Sequence, residues 1–292
     1  MILNNSIMDY QDRGNWGNAK WRGNCSGHVI YDLLDTFKPK NFIEVFSGGG
    51  TGQDVAKDLG YSNSIHLDLA NGWNALKDDI PASSDFVFSH PPYFDIIDYN
   101  QQRSSYDQDD LSNKMPYNKF INELDLINEK IYNCLVNGGR HAILLGDVRK
   151  KGKYYSLIKD MTWFGDLEEH IIKIQHNCYS AKKNYITKNP LIAIAHEHLL
   201  IFRKNGIWTL NIKYTKDFEM SIRQLDKITW RDLIRSVFEE KGKELYLQQV
   251  YKVLDGCKKS ANNQHWKEKI RQTINTSQEF IRIEKGKYKL AI

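Results

Sequence analysis

The sequence predicts an α/β protein in which a doubly wound, mostly parallel sheet is followed by a small winged helix-turn-helix. Two observations lead to this prediction. Up to about residue 204, short apolar runs alternate with helical segments, which is typical of a parallel sheet covered by helices on both faces. Beyond residue 214 the pattern changes to three helical segments and a hairpin. We therefore expect two domains, spanning residues 1–215 and 226–292.

The elements of the first domain are predicted from the points where these apolar runs begin and end. The predicted strands are 41–46, 64–69, 85–89, 141–145, 170–176 and 198–203, and the predicted helices are 53–59 and 118–135, the second closing at Gly138 and Gly139. Residues 99–117 are polar and show no period. They predict a mobile loop at the edge of the sheet where ligands bind.

The second domain is predicted from three helices and a basic hairpin. Thr229 is a suitable N-cap for the first helix. The helices span 230–240, 246–254 and 265–274, and strands at 280–283 and 288–291 flank a turn that contains Gly286. Residues 216–292 hold 17 basic and 11 acidic residues, whereas the first 215 residues carry a net charge of −1. Charge alone leaves a solvated lysine-rich surface and a polyanion-binding module equally open.

Composition excludes several classes of protein. With 41% hydrophobic residues in a chain of 292, a sizeable core can form, so global disorder is excluded. No apolar stretch has membrane-spanning length, and the N-terminus lacks a signal-peptide pattern. The cysteines are too widely spaced for a zinc cluster or a disulfide framework: Cys25, Cys134, Cys178 and Cys257. We expect a soluble, cytoplasmic protein with no membrane and no metal.

A glycine-rich turn follows the first predicted strand. Gly48, Gly49, Gly50 and Gly52 would let the backbone approach a ligand at the free N–H groups of the next helix. Asp68 ends the second strand, where an acid can accept both hydroxyls of a ribose. Tight packing and a solvated strand-end aspartate are the alternatives. Together the two features indicate a cofactor that contains a nucleoside.

The most specific motif is Ser89-His90-Pro91-Pro92-Tyr93, after the third strand. Two prolines fix the backbone and remove N–H donors, so that carbonyl groups of the turn can face a substrate. Tyr93 offers a flat ring for stacking. The alternative is a rigid turn with a core tyrosine.

These motifs, in this order and spacing, resemble those of the S-adenosylmethionine-dependent DNA amino-methyltransferases, which modify adenine N6 or cytosine N4. The motifs are Phe46-Ser-Gly-Gly-Gly-Thr51, Asp68, Asn74-Ala-Leu and 85–93. The resemblance spans about residues 13–204 and implies a Rossmann-like class I methyltransferase fold with S-adenosylmethionine as cofactor. It implies cofactor contacts from Glu44, Phe46, Gly48, Gly50, Thr51, Asp68 and Asn74. It further implies that a segment within 13–27 closes over the methionine end.

The resemblance also implies a mechanism. The lone pair of an aromatic amine is delocalised, so acceptors must hold the amine hydrogens while the methyl group is held in line. His90 and the Pro91 carbonyl would be these acceptors, in a turn shaped by Pro92, and Tyr93 would stack on a base flipped out of duplex DNA. His90 departs from the Asp, Asn or Ser of the family. Imidazolium has no acceptor, so we expect activity to fall as the pH drops through the usual histidine range, at about 6.5.

The C-terminal pattern resembles winged helices that place one helix in the major groove. The predicted groove residues are Lys267, Lys269, Arg271 and Gln272, and Lys285 and Lys287 belong to the wing. A winged helix that binds protein is the alternative. For His196 and His198, packing at a strand end is favoured over a metal site. For Asp147, a solvated turn is favoured over a role in the site.

The sequence therefore predicts a DNA methyltransferase of the restriction-modification kind, with adenine N6 in duplex DNA as the first choice of target. Cytosine N4, RNA and an inactive DNA-binding regulator stay open, as does a homodimer.

Overall fold

The computed structural model describes residues 3–176, 192–213, 215, 221–225, 228–242 and 244–291. Cys178 and the predicted domain start at residue 226 lie outside these residues. The chain divides into two compact units, Met1–Lys216 and Asp217–Ile292, here called unit 1 and unit 2. No helix in the described part of the chain is both long enough and apolar enough to cross a membrane.

Unit 1 alternates strands and helices. Its strands are β1 Ile7–Met8, β2 Phe42–Val45, β3 Ile65–Leu67, β4 Ser84–Ser89, β5 Leu135–Leu145, β6 Val148–Lys150, β7 Lys153–Tyr155, β8 Trp163–Phe164, β9 Asp166–Ile174, β10 His196–Arg203 and β11 Ile212–Lys213. Its described helices are α1 Gly27–Phe37, α2 Thr51–Asp58, α3 Tyr99–Arg103, α4 Tyr117–Cys134 and α5 Leu157–Asp160.

Seven of these strands form one sheet in the order β1-β9-β10-β5-β4-β2-β3. β10 is antiparallel to both of its neighbours, and the other pairs are parallel. Phe42 of β2 belongs to the core beneath α1 and α2, whereas its neighbour Ile43 belongs to the core beneath α4. Alternate side chains therefore bury both faces of the sheet under helices. This is a doubly wound, Rossmann-like α/β unit, and the predicted fold class is confirmed.

One predicted boundary is wrong. The helix expected to close at Gly138 and Gly139 ends at Cys134, and Leu135 already has the extended dihedral angles φ −67° and ψ 138°. Leu135 is buried and pairs with Ser84 of β4. Both glycines lie inside β5, where a Cβ on Gly139 would approach the carbonyl oxygen of Val136 to 2.9 Å. Sheet pairing, which involves residues about 50 positions away, ends the helix earlier than local sequence indicates.

Unit 2 contains helices and a small antiparallel sheet. Its elements are α6 Trp230–Lys241, β12 Glu244–Tyr246, α7 Leu247–Leu254, α8 Lys258–Ala261, α9 Trp266–Thr276, β13 Phe280–Glu284 and β14 Lys287–Leu290. The strand order is β12-β14-β13. Thr229 caps α6 by accepting the Asp232 N–H at 3.1 Å, as expected. The assignment of this unit as a winged helix stays a prediction.

Candidate functional site

A pocket lies where β2, β3 and β4 end, and we call it the inner pocket. It encloses about 770 Å³ between atoms, part of it open to solvent. Its walls include most of the residues predicted to bind the cofactor, together with two residues of the Pro-Pro motif: Glu44, Phe46, Gly48, Thr51, Asp68, His90 and Pro92. Parallel strands end at one edge of a sheet, so motifs far apart in sequence meet there.

Asp68 holds the glycine-rich turn in place. Its Oδ2 accepts the Gly48 N–H at 2.9 Å, and its Oδ1 accepts the Ala70 N–H at 2.8 Å. Burial raises the pKa of Asp68, against the effect of these two hydrogen bonds. Gly48 has φ +49°, and Phe46 has φ +66°, a conformation uncommon for a residue with a side chain. Each carboxylate oxygen has a further lone pair, so Asp68 can still accept hydroxyl groups from a ligand.

Glu44 is 3% exposed and lies at the floor of the inner pocket. Its Oε2 is 2.7 Å from Nδ1 of His66, the residue that pairs with it across β2 and β3. Burial raises the pKa of Glu44, and the hydrogen bond to His66 opposes this. A Cβ on Gly52 would lie 2.4 Å from the Glu44 carboxyl group. Gly52 is therefore a close-approach glycine for Glu44, and sequence analysis missed His66.

A segment before α1 covers the glycine-rich turn. Asn24 Oδ1 accepts the Gly49 N–H at 3.2 Å, and Asn18 N–H donates to the Gly49 carbonyl at 2.8 Å. A Cβ on Gly49 would lie 2.7 Å from Asn24 Nδ2. The ring of Trp21 stacks on Tyr99, with centroids 6.3 Å apart. The segment around 13–27 thus lies where the family resemblance implied a cover, and Trp21 and Asn24 line the pocket.

The polar stretch after the Pro-Pro motif is more ordered than its composition predicts. It contains α3, and Arg103 of this helix donates to Asp110 at 2.5 Å. Both side chains are buried, 8% and 4% exposed. The lining residues that sequence analysis missed come largely from this stretch: Tyr99, Arg103, Asp109, Asp110 and Leu111. The only signal for them was their position after a strand end, because the stretch shows no period.

Two of the predicted cofactor residues do not line the inner pocket. Gly50 is the N-cap of α2, with φ +80°. Asn74 turns its side chain into the local backbone, where Oδ1 accepts the Leu76 N–H at 3.0 Å. Its Nδ2 donates to Asp109 at 2.9 Å, and Asp109 does line the pocket. Asn74 therefore positions an acid instead of presenting its own amide to the pocket.

A second depression, the outer cleft, meets the inner pocket at His90. Pro91 and Tyr93 line the outer cleft, whereas Pro92 lines the inner pocket, and His90 lines both. Basic side chains border the outer cleft: Arg13, Arg22, Arg149, Lys151 and Lys173. Two cavities thus share a wall at the motif predicted to be catalytic.

His90 is held by a hydrogen-bonded series of side chains. Its Nε2 is 2.8 Å from the Tyr93 hydroxyl, which donates to Glu197 Oε1 at 2.8 Å. Lys173 donates to Glu197 Oε2 at 2.7 Å. Burial, aided by Lys173 and opposed by Glu197, lowers the pKa of His90 to about 4. The expected loss of activity in the usual histidine range is therefore corrected to a loss near pH 4, because the buried imidazole stays neutral above it.

Two further predictions concern residues beside the outer cleft. The turn at Asp147 is not solvated as expected, because the Asp147 side chain is only 6% exposed and accepts the Tyr154 hydroxyl at 2.7 Å. His170 Nε2 is 3.0 Å from His198 Nδ1, and the rings of His196 and His198 meet edge to face. Among the described residues, no group of three or more His, Cys, Asp or Glu is arranged to hold a metal ion.

The residues predicted to enter a DNA groove are exposed but do not share one face of α9. Two residues apart on a helix, Lys269 and Arg271 point in opposite directions. Arg271 donates to the Tyr251 hydroxyl at 2.9 Å, and Lys267 lies 5.9 Å from the centre of the same ring. Lys269 donates to Gln272 at 2.9 Å on the solvent side.

The two lysines predicted for the wing also differ from each other. Lys287 is paired with Glu244 at 3.2 Å and lies over the Tyr246 ring. Lys285 is exposed at the hairpin turn. Lys269, Gln272 and Lys285 are consequently the better placed of the predicted set.

No protein-family model matches this chain, and no curated protein is similar to it at a significant level. It is similar to TTHA0409 of Thermus thermophilus in complex with S-adenosyl-L-methionine, a protein assigned by inference as a DNA modification methylase, at 18% identity, 68% and 65% coverage of this and that chain, and a TM-score of 0.30. It is similar to TrmN of Thermus thermophilus at 12% identity, 63% and 50% coverage, and a TM-score of 0.33.

A third similar structure is the N-methyltransferase NodS of Bradyrhizobium japonicum WM9 in complex with S-adenosyl-l-homocysteine, at 9% identity, 62% and 86% coverage, and a TM-score of 0.34. This chain spans 65% of the length of TTHA0409 and half of that of TrmN. TM-scores of this size carry no argument about activity. The fold of unit 1 rests on its own strand order and its two helical layers, and that fold is Rossmann-like.

Proposed function

We propose that this protein is an S-adenosylmethionine-dependent methyltransferase that acts on the exocyclic amino group of a base in duplex DNA, with adenine N6 as the target. The observation that carries the proposal is the shared wall at His90. A cofactor in the inner pocket and a base in the outer cleft would meet at this residue, which begins the Pro-Pro motif.

The inner pocket suits S-adenosylmethionine in chemistry. Asp68 offers carboxylate lone pairs for ribose hydroxyls, and Glu44 offers a carboxyl group for an ammonium. Leu69, Trp73 and Leu111 supply apolar walls suited to a flat purine ring. The cofactor supplies a methyl group on a sulfonium, which leaves as a thioether with the electron pair of the broken carbon–sulfur bond.

The motif residues would act on the base that receives the methyl group. The neutral His90 ring and the Pro91 carbonyl would accept the amine hydrogens, which turns the nitrogen lone pair out of conjugation with the ring. Tyr93 would stack on the base, since its ring lies against Gly146, where a Cβ would come within 2.4 Å of it. The low pKa of His90 keeps its acceptor nitrogen available at neutral pH.

The direct test is nucleoside analysis. The protein is incubated with S-adenosylmethionine and unmethylated duplex DNA of mixed sequence, and the digested nucleosides are identified by mass spectrometry. N6-methyladenine supports the proposal. N4-methylcytosine moves the target to cytosine, and methylation of an RNA sample alone moves it to RNA. A matched His90→Ala sample should contain roughly tenfold less product or lower still, because one acceptor is lost. If wild type binds the cofactor and methylates neither nucleic acid, the proposal is wrong.

Unit 2 would contribute to holding the DNA. Phosphate contacts release counterions, so each contact adds about 0.9 to the slope of log K against log salt concentration. We expect the double variant Lys269→Glu, Lys285→Glu to weaken DNA binding and to reduce this slope by about 2. Lys252→Glu, a change at an exposed lysine of α7, serves as the charge-matched control. Equal slopes for the two variants would contradict a DNA-binding role for this surface.

A further inference from the structure

Four side chains from three segments form a continuous line that ends at His90. His90 and Tyr93 come from the motif, Glu197 from β10 and Lys173 from β9. The contacts measure 2.8 Å, 2.8 Å and 2.7 Å in sequence from His90 to Lys173. The Glu197 and Lys173 side chains are 7% and 13% exposed, so this pair is largely shielded from water. A buried ion pair placed behind a catalytic motif calls for an explanation beyond stability.

The direction of each hydrogen bond follows from the proton count. Burial alone would raise the pKa of Glu197, but the Lys173 ammonium, His90 and the hydrogen bonds together lower it. Glu197 is therefore an ionised carboxylate and only accepts. Tyr93 has one hydroxyl proton and donates it to Glu197. Its oxygen must then accept from His90, so His90 carries its proton on Nε2 and its lone pair on Nδ1.

We propose that Glu197, acting through Tyr93, fixes the tautomer of His90 so that Nδ1 faces chemistry as the proton acceptor for the methylated amine. Glu197 then stabilises the imidazolium that forms, and Lys173 balances the carboxylate so that the resting ring stays neutral. This inference rests on the proposed function and adds two positioning residues, Glu197 and Lys173, to it. The logic is that of a carboxylate that orients a catalytic histidine.

The proton balance of the transfer explains why such a group is useful. The target nitrogen gains the methyl carbon and gives up one hydrogen as a proton. Nδ1 of His90 takes this proton, the Glu197 carboxylate offsets the new positive charge through the Tyr93 hydroxyl, and the proton then leaves to water. An Asp at this position would already carry a negative charge, whereas a neutral His needs one supplied from behind.

The charged and titratable groups that surround His90 come from several elements. Glu197 and Lys173 act on His90 directly, and Tyr93 and Cys25 lie in the same electrostatic cluster. Those on the inner-pocket side are Cys25, Glu44, Asp68 and Tyr99. Of these charges, Glu197 favours the imidazolium and Lys173 opposes it. Removing either partner should therefore move the His90 pKa in a predictable direction.

The tautomer is tested by nitrogen-15 NMR of the histidine rings in the full-length protein, with the His90 signals assigned from a His90→Gln sample. In wild type we expect one tautomer, protonated on Nε2. Tyr93→Phe keeps the ring and removes the hydroxyl, so both tautomers should appear. Tyr117→Phe is the matched control, because its hydroxyl donates to Asp160 at 2.9 Å away from both pockets. A wild-type ring protonated on Nδ1, or an unchanged tautomer in Tyr93→Phe, would overturn the inference.

The catalytic part is tested by pH profiles of kcat. Glu197→Gln should move the acid limb to lower pH and Lys173→Met should move it to higher pH, each by about half a unit or more. Both should leave the dissociation constant of S-adenosylmethionine within about twofold, because neither residue lines the inner pocket. Shifts in the same direction would overturn the role. If wild type methylates no nucleic acid while the NMR result holds, the proposed function fails and the tautomer assignment stands.

Discussion

His141 of β5 is a buried histidine, and its protonation should destabilise the protein at mildly acidic pH. The residue is 4% exposed, and its Nε2 is 2.7 Å from the hydroxyl of Ser89, the residue before His90. Burial lowers the pKa of His141 to about 3. The unfolded chain binds a proton to this ring below about pH 6.5, whereas the folded chain does so only near pH 3. This stability is fully present above about pH 6.5 and is lost as the pH falls from there towards 3.

The expected magnitude follows from the two pKa values. A difference of about 3.5 between them, at about 1.4 kcal/mol per pKa unit, corresponds to about 5 kcal/mol over the whole range. Between about pH 7 and pH 5 the same relation gives about 2 kcal/mol. Urea unfolding followed by circular dichroism would measure the free energy of unfolding at both pH values. His141→Gln keeps a polar group beside Ser89 but does not titrate, so its loss should be smaller by about 2 kcal/mol. Equal losses for wild type and the variant would refute the reasoning.

Other changes test the packing around the inner pocket. Gly52→Ala places a methyl group against Glu44 and should weaken S-adenosylmethionine binding roughly tenfold or more by calorimetry. Gly60→Ala, where a Cβ meets no atom within 4 Å, should bind normally, and equal affinities would contradict the close-approach role of Gly52. Arg103→Met leaves Asp110 buried and unpaired, and it should cost about 3–5 kcal/mol in unfolding experiments. The double variant with Asp110→Leu should recover part of this loss, and a double variant no more stable than the single one would argue against a buried pair.

The motifs at the strand ends could be predicted because each depends on local chemistry. A glycine-rich turn, an acid at a strand end and a Pro-Pro turn are short signals, and a parallel sheet brings strand ends together without further information. Gly48, Asp68 and His90 therefore meet in one pocket, as their positions predicted. The same local reasoning misplaced Asn74, because its amide satisfies nearby backbone and an acid from the next loop takes its place at the pocket.

The sequence by itself determined the α/β class and the edge of the sheet where the site lies, because hydrophobic periodicity and turn chemistry are local properties. Only the tertiary structure decided which distant side chains complete the site. Glu197 reaches Tyr93 from 104 residues away, and no local pattern marks that pairing. The pKa of His90 is likewise a property of the folded protein, since burial and the nearby Glu197 and Lys173 set it. Contacts and burial arise from packing between remote segments, and they decide the charge state on which the proposed chemistry depends.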